Sequence, residues 1–392
     1  MKNTHTQRVL ALLLVGVACV MTSAHAAQPP VSTDGQTSAN APEESIWDTL
    51  PAWLRNMKIS GDVRYRHERA MIEDAPTRDR DRLRARLVFS TEVNDEVNAT
   101  IGVATGTNDS ATNTNQDLTG AFSSKNLWLD QAFVDYHPAK VEGLNVFAGK
   151  MKNPYDHPGN SDILFDTDVT PEGIVATYKR PLAENAEFTG VVGGHYVQER
   201  STSVDTSLWV AQAAVTCKVA GGAKIKAGAG YFTFVNIQGQ TALASTTDNF
   251  RGNTSVADTY ASDFDIFRTF GEVDFPVSGQ PCAAFGELLI NTGAVGNQDT
   301  GFLLGASVGK CKAPGSWQVA YNYRDQEADC MVASLVDSTF AGGGTGVKGH
   351  KFSVGYQVAK NWVCNLNYMM GERVRAATTD YDVLQFEFNF KF

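Results

Sequence analysis

The last nine residues, LQFEFNFKF, alternate between apolar and polar side chains. Every second residue from Leu384 to Phe392 is apolar, and most of these are phenylalanine. A period of two predicts a β-strand with one apolar and one polar face. In a soluble sandwich the apolar face would be core. A row of phenylalanines of this kind favours instead the last strand of a barrel that closes in lipid.

The first residues have the three parts of a secretory signal peptide. Lys2 and Arg8 supply positive charge, an apolar run covers residues 9–21, and small residues stand at Ala24 and Ala26. The run is too short for a membrane-spanning helix, and no later stretch approaches the roughly 18 apolar residues that such a helix needs. The mean hydropathy is −0.22, so the chain is polar on average. Export without an apolar span fits either a β-barrel or a secreted globular protein.

We predict four segments along the chain. Residues 1–26 form the signal peptide, and residues 27–42, which are rich in Pro, Ser and Thr, form a disordered linker. Apolar residues recur at helical spacing over 43–57, which predicts a short amphipathic helix on the periplasmic side. This helix either packs as a lid on the base of the barrel or acts as a plug or a subunit contact. Residues 58–392 have the pattern of a transmembrane β-barrel.

Alternating segments separated by turn residues continue through the region from residue 58 onward. Long and short connections alternate along the chain, which is the asymmetry of an outer-membrane barrel. The segments predict an all-β, antiparallel barrel of about 16 strands, an even number. The last strand should pair with the first, so that no edge remains. Long connections are predicted at residues 72–79, 108–124, 153–168, 236–262 and 326–347.

Arginines mark the predicted inner face of the first two strands. They alternate with apolar residues such as Leu83 and Ala85, and an arginine facing lipid near the midplane would cost about 2–4 kcal/mol. Two lysines lead from a later strand into the connection that starts near residue 153. The predicted pore-lining basic ladder is Arg64, Arg66, Arg80, Arg82, Arg84, Arg86, Lys150 and Lys152. In the alternative, the arginines only stiffen the wall by pairing with Asp62, Glu68, Asp79 and Asp81.

The stretch from about residue 153 to residue 172 is acidic and contains turn formers. It is predicted to form a constriction in which an acidic loop faces the basic wall and sets up a transverse field that favours small hydrophilic solutes. Its apolar residues, Ile163 to Phe165, are suited to packing on the inner wall. Asp166 and Asp168 are also weak candidates for Ca²⁺ ligands, although acidic loops are more often solvated or paired. The predicted acidic residues of the constriction are Asp156, Asp162, Asp166, Asp168 and Glu172.

The sequence around this loop resembles the "putative porin" family of bacteria. A strand that ends in Gly-Lys-Met-Lys-Asn-Pro is matched at 149–154, an Asp-x-Asp at 166–168, and a Pro-Glu-Gly at 171–173. Phosphate-selective porins are distantly similar in this part. The resemblance implies a third long loop folded into the lumen and, by similarity to sixteen-stranded general porins, a homotrimer. Phe392 resembles the terminal signal that the barrel-assembly machinery reads.

These features predict a porin in the outer membrane of a Gram-negative bacterium. It would form a water-filled channel for the passive diffusion of small hydrophilic solutes and ions, with a weak anion preference at the constriction. It would contact outer-membrane lipid and lipopolysaccharide. Two alternatives are a substrate-selective channel, for phosphate or another anion, and a structural barrel that docks a partner such as a cytochrome.

Several function classes are disfavoured by composition. The net charge of −10 leaves no basic footprint for nucleic acid. The histidines are scattered and none lies in a nucleophile motif, so we predict no enzyme, no catalytic residue and no cofactor. The cysteines have neither metal-site spacing nor the density of a disulfide framework. The sequence does not decide whether any pair forms a disulfide among Cys217, Cys282, Cys311, Cys330 and Cys364.

Overall fold

The computed structural model describes residues 50–107, 110–243 and 250–392. The predicted signal peptide, the linker and the first part of the predicted helix lie outside these residues. In the described part of that helix, a short helix α1 covers Ala52–Arg55, directly after Pro51, and it contacts the barrel where the Thr91 hydroxyl donates a hydrogen bond to the Trp53 carbonyl. No helix among the described residues is long and apolar enough to cross a membrane.

The described chain folds into β-strands and loops, with almost no helix. Sixteen long antiparallel strands form a closed barrel, and the remaining short strands lie in the loops. The strands are β1 (Lys58–Ile72), β2 (Arg78–Asn94), β3 (Val97–Thr105), β4 (Gln116–Asp117), β5 (Leu127–Tyr136), β6 (Leu144–Lys150), β7 (Glu172–Ala183), β8 (Ala186–Gln198), β9 (Thr206–Lys218), β10 (Lys224–Val235), β11 (Ser255–Val256), β12 (Thr259–Tyr260), β13 (Phe264–Val277), β14 (Gln280–Asn291), β15 (Thr300–Gly309), β16 (Trp317–Gln326), β17 (Val347–Ala359), β18 (Trp362–Val374) and β19 (Thr378–Lys391). Short 3₁₀ turns occur at Pro158–Asn160, Ala220–Gly222 and Phe340–Gly342.

The last strand closes the barrel on the first, as the sequence predicts. β1 and β19 pair antiparallel from Asp62 opposite Lys391 to Ile72 opposite Tyr381. Beyond this ladder, Gly61 and Phe392 exchange two backbone hydrogen bonds of 3.0 Å. Closure leaves no strand edge exposed, which a spanning sheet requires in hydrocarbon.

The alternation of the closing strand separates an outer from an inner face. Val383 and Glu387 are buried inside the barrel, whereas Phe390 and Phe392 are exposed on the outside. The phenylalanine row therefore faces the membrane, and the polar row of the same strand faces the interior. The predicted face assignment for the end of the chain is confirmed.

Long and short connections separate to the two ends of the barrel. The predicted connection between the fifth and sixth barrel strands, β6 and β7, is long, and so is the connection between β16 and β17. Three loops at the same end, over residues 199–205, 292–299 and 375–377, were not predicted. These loops are so short that their polar residues continue the alternating sequence pattern of the flanking strands.

Two long loops fold into the barrel and bury apolar side chains there. We call residues 151–171 the constriction loop and residues 327–346 the second inserted loop. Ile163, Leu164 and Phe165 of the constriction loop pack as predicted, against the inner faces of β7–β10 and β13–β15. Met331 and Val332 of the second inserted loop join the same apolar cluster. One half of the inner wall is thus covered by protein.

The closing seam gives a testable prediction at Gly61. A Cβ on this residue would lie 2.4 Å from the Arg86 carbonyl oxygen and 2.7 Å from the Phe392 ring. We expect Gly61→Val to destabilise the barrel by about 1–3 kcal/mol, the usual cost of overpacking. The measurement is the temperature at which the barrel loses its heat-modifiable gel mobility, with Val63→Leu on the same outer face as the control. An unchanged midpoint in Gly61→Val would contradict the packing described for this seam.

Candidate functional site

The arginine ladder lies on the inner faces of β1 and β2. The register places Arg64 opposite Arg84 and Arg66 opposite Arg82. Like charges directly opposite each other destabilise a strand pair, so this arrangement needs carboxylates between the guanidinium groups. The structure supplies them from the same strands, from β4, from β19 and from the constriction loop: Asp62, Glu68, Asp117, Glu387 and Asp168.

Glu68 is the most buried of these carboxylates, with its side chain 1% exposed. It binds Arg80, and Arg82 lies 3.5 Å from it. Gln385 of β19 donates a further hydrogen bond to Glu68 at 2.9 Å. Glu68 therefore joins the first, second and last strands of the barrel.

Glu387, nearer the other end of β19, also joins strands by pairing with arginines. It accepts a hydrogen bond of 2.6 Å from Arg66 and lies 3.6 Å from Arg64. Arg64 also donates to Asn115 at 2.6 Å, which ties the ladder to the connection between β3 and β5. The guanidinium groups thus contact loops inside the barrel.

Asp62 binds the two arginines at the other end of the ladder. Arg84 and Arg86 donate to its carboxylate at 2.9 Å and 2.7 Å. The alternative in which Asp79 and Asp81 also pair with the ladder is wrong for those two residues. The one-residue offset puts them on the opposite face of β2, where Asp79 binds Arg69 and Asp81 binds His67.

The aspartates of the constriction loop reach three separate parts of the wall. Asp168 lies 3.6 Å from Arg86 and 3.9 Å from Arg84. Asp162 binds Arg324 of β16 at 2.7 Å. Asp156 binds Lys226 of β10. The ion pairs attach the loop to the wall, and the basic ladder and the loop carboxylates meet in direct contact.

Of three further residues predicted at the constriction, two lie on β6 and β7 and one lies in the constriction loop. Glu172 is the first residue of β7 and pairs with Lys150 across the β6–β7 register, at 2.9 Å. Phe147 lies on the inner face of β6 and packs inside the barrel, whereas Lys150 lies on the outer face. Lys152 follows the strand and is exposed. The described contacts join none of the three to the arginines. Strand alternation turns Lys150 and Glu172 to the outer face, and Lys150 donates a hydrogen bond to the Thr170 carbonyl of the constriction loop at 3.1 Å.

Sequence reasoning missed a second anchor beneath the constriction loop. Arg268 of β13 and Glu287 of β14 form a buried pair at 2.5 Å, with side chains 0% and 1% exposed. Arg268 also donates to the Asp156 carbonyl at 2.6 Å, and Ser161 donates to Glu287. The available signal was a single arginine among the apolar inward residues Phe264, Ile266 and Phe270 of β13.

Sequence reasoning also missed the insertion of residues 327–346. This loop was predicted only as a long connection. Its apolar run from Cys330 to Val336 is buried apart from a partial exposure of Leu335, and such a run in an outer-membrane loop was the signal for insertion. Asp337 of this loop binds Arg324 at 3.0 Å.

The two inserted loops bring carboxyl groups together away from water. Burial, together with the nearby Asp168 and Asp337 carboxylates, raises the pKa of Asp166 well above its ordinary value. Burial opposes ionisation of Asp168 too, but Arg84 and a hydrogen bond from Thr114 outweigh it and lower the pKa of Asp168. Arg324 and Lys351 likewise lower the pKa of Asp337 against the effect of burial.

The acidic residues of the constriction are engaged by protein donors. Asp166 accepts hydrogen bonds from the backbone N–H groups of Asp168 and Ser338, and Asp168 accepts from Thr114. Within the described residues, no cluster of three or more His, Cys, Asp or Glu side chains could hold a metal ion. The cysteines in the described part of the chain are free thiols.

Solved structures of outer-membrane porins have the same architecture. Salmonella typhi OmpF, in a complex with daunomycin, is similar with a TM-score of 0.52 and 13% identity, over 86% of this chain and 97% of that chain. Pseudomonas putida OprB is similar with a TM-score of 0.57 and 10% identity, over 86% of this chain and 94% of that chain. The barrel therefore has the fold of these outer-membrane proteins.

The sequence gives the family within this class. The profile of the family described as "Putative porin" matches residues 72–268 and 277–392. The match covers most of the chain, and the chain belongs to this family. A search of curated proteins finds no match. The protein is thus an integral β-barrel of the Gram-negative outer membrane, and family membership supports a channel rather than an enzyme.

The buried carboxyls predict how the contact between the two inserted loops depends on pH. The pKa of Asp166 is higher in the folded protein than its ordinary value of 3.8, so its stabilising contribution is lost as pH rises through the folded pKa. Asp168 and Asp337 have lowered pKa values, so their contributions to the stability of the folded protein are lost only as pH falls below 3.8. We expect the thermal midpoint of wild type to fall as pH rises above this value.

The test compares wild type with Asp166→Asn by thermal unfolding in detergent from acidic to alkaline pH. The wild-type free energy of unfolding should lose about 1.4 kcal/mol for each unit by which the pKa is raised. The variant lacks Asp166 and should show a smaller loss, because Asp162, whose pKa is also raised by burial, still titrates. Parallel pH profiles in the two proteins would mean that Asp166 is already ionised at acidic pH.

Proposed function

We propose that the barrel is a channel for the passive diffusion of small hydrophilic solutes, with a weak preference for anions at the constriction. The observation that carries this proposal is the unequal division of the inner wall. Apolar inward residues of β7–β10 and β13–β15 are covered by the inserted loops. The inward positions of β16–β19 and β1–β3 are largely polar towards the short-turn end, whereas Val347, Met369 and Val383 at the loop end form an apolar cluster with Phe340; we place the free cross-section on the polar side.

The polar half of the wall is suited to water and to uncharged polar solutes. Its inward residues towards the short-turn end alternate with lipid-facing residues such as Phe352 and Leu366. Amide and hydroxyl groups there can replace part of a solute's hydration, which lowers the cost of passage. Examples of these inward residues are Asn98, Thr100, Asn322, Ser353, Asn365 and Asn367.

The charge balance of the ladder supports only a weak anion preference. The six arginines of the basic ladder contact five carboxylates: Asp62, Glu68, Asp117, Asp168 and Glu387. One excess positive charge remains in this group. Arg86 keeps the most exposed guanidinium of the six, with its side chain 31% exposed, and it is the residue best placed to attract an anion.

Assembly is part of the same proposal. We infer a homotrimer from the resemblance to sixteen-stranded general porins. The outward aromatic row of β19 is suited to outer-membrane lipid and lipopolysaccharide, and Phe392 at its end is suited to recognition by the barrel-assembly machinery. These partners are proposed from the exposed outer face and the closing strand.

Reversal potentials in a salt gradient across a planar bilayer test the ion preference. Arg86→Gln removes the exposed positive charge while Arg84 still binds Asp62. We expect a lower ratio of anion to cation permeability in this variant than in wild type. The matched control is Lys179→Gln, which removes a positive charge that pairs with Glu187 at 3.1 Å near the short-turn end of the barrel. A shift in the control as large as that in Arg86→Gln would refute a selectivity set at the ladder.

A further inference from the structure

The second inserted loop extends from one side of the lumen to the other. Its Met331 and Val332 pack in the apolar cluster with Leu303 of β15. A few residues later, Phe340 and Ala341 pack in a separate cluster against β17, β18 and β19. The loop therefore crosses the interior between the two halves of the wall.

One wall residue holds both inserted loops. Arg324 of β16 is 1% exposed, and its guanidinium contacts Asp162 of the constriction loop at 2.7 Å and Asp337 of the second inserted loop at 3.0 Å. Its guanidinium carbon also lies 4.5 Å from the centre of the Phe340 ring, a cation–π contact. Without this cation, two buried carboxylates would lie close together, with the more distant Lys351 at 3.9 Å from Asp162.

Backbone hydrogen bonds join the two loops next to this residue. The Asp337 N–H donates to the Asp162 carbonyl at 3.1 Å, and the Asp166 N–H donates to the Leu335 carbonyl at 2.8 Å. The Ser338 hydroxyl donates to the Thr112 carbonyl at 2.8 Å, which adds the connection between β3 and β5. The loops form one connected layer across the barrel.

We propose that the second inserted loop is a constriction element in its own right, and that Arg324 is the positioning residue that fixes it against the constriction loop and so sets the bore of the channel. This inference rests on the proposed diffusion function. It assigns the size limit for solutes to the layer formed by both loops. The residues that determine this limit are then Arg324, Asp162 and Asp337.

Neutral sugars of increasing size test the bore, because their passage does not respond to the charge that a substitution removes. The assay is the swelling rate of liposomes that contain the purified barrel. Arg324→Gln leaves the Asp162 and Asp337 carboxylates without their shared cation, so the loops should separate. We expect the swelling rate for sugars at the wild-type size limit to rise severalfold, while the rate for a monosaccharide changes little.

A matched control is Arg268→Gln, which removes another buried, ion-paired arginine of the inner wall. Arg268 contacts the constriction loop and the wall, and its described contacts include none with the second inserted loop. We expect a smaller change in the size limit. Heat-modifiable gel mobility of each variant shows that its barrel is folded.

The natural Cys330 allows the second inserted loop to be fixed to the barrel wall by an engineered disulfide. A Cβ at Gly301 of β15 would lie 2.9 Å from the Cys330 Sγ and 3.3 Å from its Cβ, close to the geometry of a disulfide. Oxidised Gly301→Cys/Arg324→Gln should therefore recover the wild-type size limit, and a reductant should remove the recovery. The same oxidant applied to Arg324→Gln alone controls for the other cysteines.

The outcomes separate the two proposals. An unchanged size limit in a folded Arg324→Gln barrel overturns the role of Arg324, as does an enlarged limit that the disulfide fails to restore. Restoration of an Arg268→Gln phenotype by the same disulfide also overturns it. A wild-type barrel that admits no sugar while Arg324→Gln admits them supports the role of Arg324 and refutes constitutive diffusion. If wild type and every folded variant exclude all of the sugars, both the diffusion function and the role of Arg324 are refuted.

Discussion

The pairing of the first strand with the last is the constraint on which the rest of the structure depends. In hydrocarbon, each backbone group without a partner costs several kcal/mol, so a spanning sheet must close. The ladder between β1 and β19 achieves this closure. Once the ring is closed, each side chain has only two destinations, lipid or interior. An arginine of β1 or β2 at the depth of the hydrocarbon must then lie inside, where it needs a partner, whereas Arg69 near the loop end lies on the outer face and pairs with Asp79.

The need of each inward arginine for a carboxylate partner explains much of the side-chain arrangement inside the barrel. Arginines face each other across the β1–β2 register, and isolated buried charges are expensive. The carboxylates that offset them come from elements far apart in sequence, including Glu387 on the closing strand and Asp168 on the constriction loop. The same ion pairs that relieve repulsion along the wall also fix the loop. The charges are thus first a means of positioning, and under the proposed function the small excess that remains would act on a passing ion.

The sequence predicts those features that follow from a period of two. The strand number, the closure, the inward ladder and the packing of Ile163 to Phe165 all follow from alternation or from local composition. Partners such as Glu387 for Arg66 could not be predicted, because the strand register between distant segments is set by the whole ring. Lys150 and Glu172 were placed wrongly because the boundaries of the loop were drawn from its acidic composition, whereas the β6–β7 ladder includes both residues. The second inserted loop was missed because only its length, and not its apolar run, was used.

The asymmetry of the interior also accounts for the position of the passage. A sixteen-stranded barrel is wide enough to leave an aqueous channel if only wall side chains fill it. Here Phe232, Leu289 and Leu303 point inward and would face water if the loops were absent. Apolar loop residues cover them, and the hydrophobic effect holds the loops to that half of the wall. At the loop end of β17–β19, Val347, Met369 and Val383 pack with Phe340 and Ala341 of the second inserted loop. Towards the short-turn end the inward positions of β16–β19 and β1–β3 are largely polar, so the same force does not draw the loops to that part of the wall. Under the proposed function, the choice of apolar or polar residues at inward strand positions determines on which side of the barrel the solute path lies.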